Sequence, residues 1–407
     1  MFPPTDPLNW LLLIVTLWLA PLGLIIIYFA PTLRAIWREP VLRHPVLIVE
    51  SDDWGAGPLE QTEALERVAD ILSSCRDHRG QPAVMTLAVI LAVPDAAAIR
   101  ASGKYRRRGL DDAQFAAVRE AMENGVKQGV FAVQLHGLEH YWPPSLMASE
   151  DETVQLWLTQ DTPQSTEQLP AHLQSRWIDT TTLPSRPLQE RDIETAVGEE
   201  IELYQRIFGD IPKVVVPPTF IWSDVVEAAW AAAGVRYVVT PGRKITCRDA
   251  EGKPACYQGR VHNLETGRGV HYLVRDDYFE PMLGHAASET LAALERKTAL
   301  ARPCLLETHR ANFLGKRERV DPALRELAAL LQQALNRFPG LRFISTEALA
   351  GAMLSGNPDW LEHRRGPRLA VFAERITHIP RLGKLSRFIG LHLVLKWAAT
   401  FFGHRAS

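Results

Sequence analysis

Cysteine is scarce in this chain. Its 407 residues carry four, Cys75, Cys247, Cys256 and Cys304, and no C-x-x-C pair. That spacing argues against a thiolate zinc site. Cys247 and Cys256 flank a turn-like stretch at 249–254, so they either bridge a hairpin or stay as free thiols beside a loop. Cys75 and Cys304 read as small core residues. Excess charge is missing too. The formal net charge is −2 and no long basic stripe runs through the body, which excludes a nucleic-acid partner. No internal repeat is present, and no linker interrupts the middle of the chain. Hydrophobic residues make up 46%, enough for one barrel-sized core. Nothing in the sequence calls for a protein partner.

The amino-terminal end lacks charge altogether between about Leu8 and Ala30. As a helix that run reaches roughly 34 Å at ~1.5 Å per residue, the span of a bilayer core. Trp10 and Tyr28 fall near its two ends, where aromatic belts form, and Pro21 and Gly23 are tolerated in lipid. No basic residue precedes the run and no small-x-small site follows it, so a cleaved signal peptide fits poorly. The prediction is a retained single-pass anchor over residues 1–33. Arg34, Arg38 and Arg43 follow it, which places the main domain on the cytoplasmic side by the positive-inside rule, the opposite side being the alternative. At the other end, residues 379–407 mix Arg381, Lys384, Arg387 and Lys396 with Phe388, Ile389, Leu393, Trp397 and Phe401. That composition predicts a basic amphipathic helix on an anionic membrane surface; the alternative is a helix packed on the protein.

Between these ends, apolar strand patterns alternate with helical ones. Strands are predicted at 46–50, 83–87, 130–135, 213–216, 236–240, 270–274, 304–308 and 341–345. Helices are predicted at 58–75, 111–127, 192–208, 223–233, 287–301 and 322–338. Such alternation implies an α/β fold with a mainly parallel sheet, and seven or eight strands allow closure into a barrel over residues 44–355. Residues 145–190, polar and rich in Thr, Gln and Pro, break the pattern as an inserted lid or binding loop.

The unusual polar clusters all fall just after predicted strands. Asp52-Asp53-Trp54-Gly55 follows the first, His136-Gly137-Leu138-Glu139-His140 the third, Pro217-Pro218-Thr219-Phe220 the fourth, and His309-Arg310 the seventh. In a parallel barrel the strand C-termini share one face, so these segments converge. His136 and His140 are four apart and can face one way. With a carboxylate they make a divalent-metal site, zinc first, with cobalt, nickel, manganese or iron as alternatives. Two adjacent buried carboxylates repel unless a cation sits with them, whereas an N-cap needs only one aspartate.

These residues resemble the polysaccharide deacetylases, the NodB-homology carbohydrate esterases. Ser51-Asp52-Asp53-Trp54-Gly55 is similar to that family's first motif, and His136-x-x-x-His140 has the spacing of its second. Pro217–Phe220 and Glu307-Thr308-His309 resemble the third and last, in the right order over roughly 44–350. The resemblance implies a distorted (β/α) barrel and hydrolysis of an N-acyl group on a saccharide or glycolipid. It implies a metal on Asp53, His136 and His140, Asp52 as base and His309 as acid. The arginine that the family places before its third-motif prolines is replaced by Val215 and Val216, and the leucine before its last histidine by Glu307. Arg310 or Arg275 is expected to orient Asp52 instead, and Arg275-Asp276-Asp277-Tyr278 is the candidate fourth motif. Trp54, Tyr141, Trp142, Pro218, Phe220 and Trp222 flank the motifs as candidate sugar-binding residues. The rival readings are a glycoside hydrolase on a related barrel, which needs two carboxylates facing across a groove, a non-haem iron oxygenase, and a membrane-tethered carbohydrate-binding protein on a decayed hydrolase fold.

Overall fold

The computed structural model describes residues 7–404, without the side chains of residues 7–9, 11, 12, 14, 15, 399 and 401–404. The outermost residues of the predicted anchor and tail, 1–6 and 405–407, lie outside the described residues. The chain forms two compact units, one of residues 44–298 and 303–355, the other of 1–43, 299–302 and 356–407.

The larger unit is built on one sheet of eight strands: β1 (Leu47–Gly55), β2 (Met85–Ile90), β3 (Phe131–Leu135), β4 (Val214–Val215), β5 (Tyr237–Thr240), β6 (His271–Val274), β7 (Asp277–Tyr278) and β8 (Cys304–His309). Their order is β6-β5-β4-β3-β2-β1-β8-β7, and every neighbouring pair is parallel. β1 and β2 are buried along their whole length, as strands covered on both faces must be. Helices supply the cover. Gln61–Ser74, for example, turns Leu65, Val68 and Leu72 inward at helical spacing.

Seven of the eight predicted strands correspond to β1–β6 and β8. The eighth, 341–345, does not form. It contributes one bridge, Val46 to Arg342, and then its last residue starts a helix: Ser345 Oγ accepts the Ala348 N–H at 3.3 Å to cap Thr346–Leu354. The short β7 takes the sheet edge beside β8 instead. Among the described residues β6 and β7 do not pair with each other, so the predicted barrel is a curled half-barrel. Cys247 and Cys256 are joined as a disulfide across the hairpin of Arg243–Arg248 and Pro254–Arg260. The inserted stretch is ordered, carrying helices Pro143–Met147 and Glu152–Thr159 around a small core that includes Tyr141, Leu146, Trp157 and Leu173.

The smaller unit is helical. Its helices are Pro7–Tyr28, Ala30–Arg38, Arg365–Thr377, Pro380–Phe388 and Leu391–His404. Arg375 is buried and donates to the carbonyls of Pro40, Glu39, Leu300 and Ala301, tying three distant stretches together. Among the described residues no single helix is long and apolar enough to cross a membrane. Thr16–Tyr28 and Ala30–Arg38 meet that requirement only as a pair, bent by 69°. The bend follows from Pro31, which has no N–H to continue the first helix. The tail is likewise two helices, broken at Ile389-Gly390, where Gly390 has φ +70. The second half lies along Arg365–Thr377, with Lys396 paired to Glu374 at 3.0 Å. Phe388, Leu393 and Trp397 nevertheless stay exposed.

Candidate active site

In a regular strand, successive side chains point to opposite faces, so an Asp-Asp doublet would send its carboxylates apart. β1 avoids this with a bulge. Its register against β2 shifts between Ser51 and Trp54, and Asp53 takes φ +73, a conformation that costs a non-glycine residue about 1–3 kcal/mol. The bulge turns Asp52 toward Arg275 and Asp53 toward the two histidines. Gln61 clamps the turn that follows, accepting the Gly55 N–H at 3.0 Å and donating to its carbonyl at 2.7 Å. Neither aspartate caps a helix; the next one begins after Glu60.

Asp53, His136 and His140 are all buried, and one donor atom from each lies within 4.8 Å of the others. Each histidine presents Nε2 at 3.5 Å from Asp53 Oδ1. His136 Nδ1 sits 2.8 Å from the Val216 carbonyl, which needs a proton on Nδ1 and leaves Nε2 with a free lone pair. Asp53 Oδ1 is buried and accepts no hydrogen bond among the described residues. Burying a bare carboxylate oxygen between two imidazole nitrogens is costly, and a divalent cation satisfies all three donors. The Nε2 atoms and the carboxylate therefore fit a metal. Burial holds His140 down to about 4 against the pull of the Asp53 carboxylate, neutral as a ligand must be.

Asp52 is not a donor to that cluster. Both its oxygens accept from Arg275, Oδ1 from Nη1 at 2.8 Å and Oδ2 from Nη2 at 2.6 Å. Burial raises the Asp52 pKa, but Arg275, joined by His136 and His309, outweighs it and the group is held below the usual carboxylate range, ionised. Arg275 leaves the sheet just after β6 and also meets Glu50 at 3.1 Å and Glu307 at 3.7 Å. It occupies the orienting position for which the sequence offers Arg275 and Arg310. Arg310 points elsewhere, to Glu167. Asp276 and Asp277 of the same segment pair with Lys297 rather than with the site.

His309 ends β8, in register with Asp52. Its Nδ1 meets Glu280 Oε1 at 2.6 Å, and Asn312 donates to the other Glu280 oxygen. Burial alone would lower the imidazole pKa. The Glu280 hydrogen bond and the negative charges of Asp53 and Asp52 push it up to about 10. Replacing Glu280 with glutamine removes a raising influence, so His309 should lose its proton at lower pH. In a pH profile of kcat/KM, the alkaline limb of Glu280→Gln is expected to move toward neutrality; an unmoved limb would exclude His309 as the proton donor. Glu280 went unnoticed in the sequence. The available signal was its position two residues beyond the Asp277-Tyr278 pair, at another strand end.

The aromatic candidates divide. Trp54 is buried, stacked with Phe313, and donates to Ser51 Oγ at 2.8 Å. Tyr141 is buried against Trp157 with its hydroxyl 2.9 Å from Tyr105. Trp222 is buried and donates to Glu227 at 2.7 Å. These three are core residues and offer no face to a sugar, because strand ends of a curled sheet are where the core closes as well as where sites open. Pro218 is buried too. Phe220 is half-buried over the Arg275 guanidinium, 5.1 Å from ring centroid to Cζ. Trp142 is half-buried in the wall of a cavity of about 520 Å³ with Arg107 and Arg176.

A model of glycosyl hydrolase family 57 matches residues 171–303. That stretch contains Arg275 and Glu280 but none of Asp52, Asp53, His136, His140 or His309. No curated protein matches the chain. Among solved structures, the chain is similar to a family 4 carbohydrate esterase from Streptomyces lividans in complex with acetate (10% identity, 78% of this chain and 97% of that one, TM-score 0.35). It is also similar to a putative polysaccharide deacetylase from Mycobacterium smegmatis (10%, 80% and 97%, TM-score 0.38). A third likeness is to a 4-alpha-glucanotransferase from Thermococcus litoralis, of which this chain spans 40% (9% identity, 76% of this chain, TM-score 0.39).

Proposed function

We propose that this protein is a carbohydrate-active hydrolase that removes an N-acyl group from a saccharide or glycolipid with the help of a divalent metal. The observation that carries this reading is the split of the Asp52-Asp53 doublet between two tasks, one carboxylate facing two imidazoles and the other clamped by Arg275 beside them. Asp53, His136 and His140 would hold a divalent ion, which would supply Lewis-acid polarisation of an acyl oxygen and a lowered pKa for water. Asp52, kept ionised by Arg275, takes a proton from the attacking water as the water oxygen bonds to the acyl carbon. His309, kept protonated by Glu280, gives a proton to the amine nitrogen as the C–N bond breaks. Arg275 and Glu280 are positioning residues. Zinc suits the N₂O donor set best, with cobalt, nickel, manganese or iron able to take the same ligands.

The family 57 match favours a second reading, hydrolysis of a glycosidic bond. That chemistry needs two carboxylates facing each other across a groove and no metal. Asp52 is held in an ion pair with Arg275, and Glu280 binds His309 and Asn312. One experiment separates the readings: metal analysis of the purified protein, then incubation with N-acetylated glycans before and after chelation. Acetate release that stops with the chelator and returns with zinc is expected. Shortened glycans from the chelated protein would favour the glycosidase.

We also infer that the smaller unit holds the protein on a membrane with its catalytic unit on the cytoplasmic side. The support is the apolar stretch ending at Tyr28, with Leu24 and Ile27 exposed, and the exposed Phe388 and Trp397 beside basic Arg381, Lys384 and Arg387. Membranes carrying the protein should keep it through a sodium carbonate wash and release it only to detergent. Release by carbonate would remove the embedded anchor from this reading.

A further inference from the structure

Among the described residues, four arginines are fully buried: Arg176, Arg275, Arg310 and Arg375. Three of them have a close partner on at least one Nη, although Nε of Arg176 and of Arg275 is left without an acceptor. Arg275 meets Asp52 at 2.6 Å, Arg176 meets Glu139 at 2.5 Å, and Arg375 meets the Pro40 carbonyl at 2.7 Å. Among the described residues, Arg310 is the exception, with no hydrogen-bond or ion-pair partner nearer than Glu167 Oε2 at 3.4 Å. Its Nε and Nη1, which carry three of the five N–H donors of a guanidinium, have no acceptor. Glu167 Oε1 is buried without a partner as well. A buried guanidinium is normally saturated, because leaving its donors unmet forfeits their hydration without return.

The position of this group matters. Arg310 follows His309 directly at the end of β8, and its guanidinium lies against Gly57, in the loop after the neighbouring β1. A Cβ at residue 57 would come 2.6 Å from Arg310 Nη1, so glycine there is what lets the guanidinium lie so close to the loop that follows the Asp52-Asp53 bulge. Glu167 comes from a separate place, the short turn Thr166–Gln168 in the inserted segment, and its side chain is 26% exposed. The pair thus joins a fully buried cation at the strand ends to a partly exposed carboxylate from a different segment.

We propose that Arg310, the residue after His309 at the end of β8, is an anion subsite, and that Glu167 is the internal carboxylate that occupies its edge until a ligand anion replaces it. The ligand chemistry is a planar or tetrahedral oxyanion on a sugar, a uronate carboxylate or a sugar phosphate, since a guanidinium matches either with two parallel N–H bonds. Only the sugar in this statement rests on the proposed function; the anion site itself does not.

The test is calorimetric titration of the zinc-supplemented full chain, as wild type, Arg310→Gln and Glu167→Gln. The probes are inorganic phosphate, a neutral N-acetylglucosamine oligomer, the same oligomer ending in glucuronate, and the oligomer bearing a 6-phosphate. Wild type should bind one or both anionic oligomers at least tenfold tighter than the neutral one, and the stronger of the two identifies the source of the anion. Arg310→Gln should erase that difference. Glu167→Gln should strengthen anionic binding severalfold and leave neutral binding alone, so the prediction survives even if Arg310→Gln fails to fold. Equal affinities in wild type, or a preference that persists in Arg310→Gln, would overturn the subsite while leaving the proposed function standing. Phosphate binding that depends on Arg310, with no oligomer bound at all, would keep the anion site and remove the saccharide reading.

Discussion

Asp52→Asn is expected to lower kcat by about 10²–10⁴-fold, the usual contribution of a positioned general base, with metal content unchanged. Asparagine has nearly the shape of aspartate but is not a base at any relevant pH. The metal donors are untouched, because Asp52 is engaged by Arg275 and not by the histidines. Arg275 keeps Glu50 at 3.1 Å and Glu307 at 3.7 Å after the change, so the buried guanidinium is not stranded. The comparison is single-turnover acetate release together with metal analysis on the same preparation. A variant within a few-fold of wild type, zinc intact, would remove Asp52 from the chemistry. Loss of both activity and metal would mean that the two aspartates act as one ligand set.

Metal should leave with His136. Its ring is fixed by the Val216 carbonyl at 2.8 Å, so Nε2 is pre-aimed at the position that Asp53 and His140 also face. His136→Ala deletes one of three donors and opens the buried Asp53 carboxylate to whatever water can enter. Activity is expected to fall to background. The change should also appear without any substrate. Zinc at a hundredfold excess over its Kd stabilises the wild-type fold by about 2.7 kcal/mol, seen as a rise of several degrees in Tm. In His136→Ala that rise should vanish. A variant whose Tm still climbs with zinc binds the ion elsewhere, and the site assignment would then fail even if activity were lost.

Much of this arrangement is legible along the chain, for reasons that are local. Strand and helix periods in the middle of the sequence reflect which residues must be covered on both faces, and six strands plus β8 follow from that alone. The pairing of a carboxylate doublet with an H-x-x-x-H spacing, each directly after a strand, places both at the strand C-termini whatever the exact curvature of the sheet. The strand expected at 341–345 does not form; a short apolar run before a helix has the same local pattern as a strand. The aromatic residues show the same ambiguity: Trp54, Tyr141 and Trp222 are identical in sequence whether they face a groove or, as here, the core.

What the chain determines by itself is the set of donors and their ends of the sheet, since these depend on residue type and on neighbours a few positions away. What only the tertiary structure decides is which charge meets which. The bulge that gives Asp52 and Asp53 their separate partners forms where β1 loses register with β2 while keeping it with β8. The choice of Arg275 over Arg310 for Asp52, and of Glu280 for His309, joins residues more than two hundred and about thirty positions apart. A buried ion pair is selected by geometry at the end of the chain's path through space, and no local pattern carries that information.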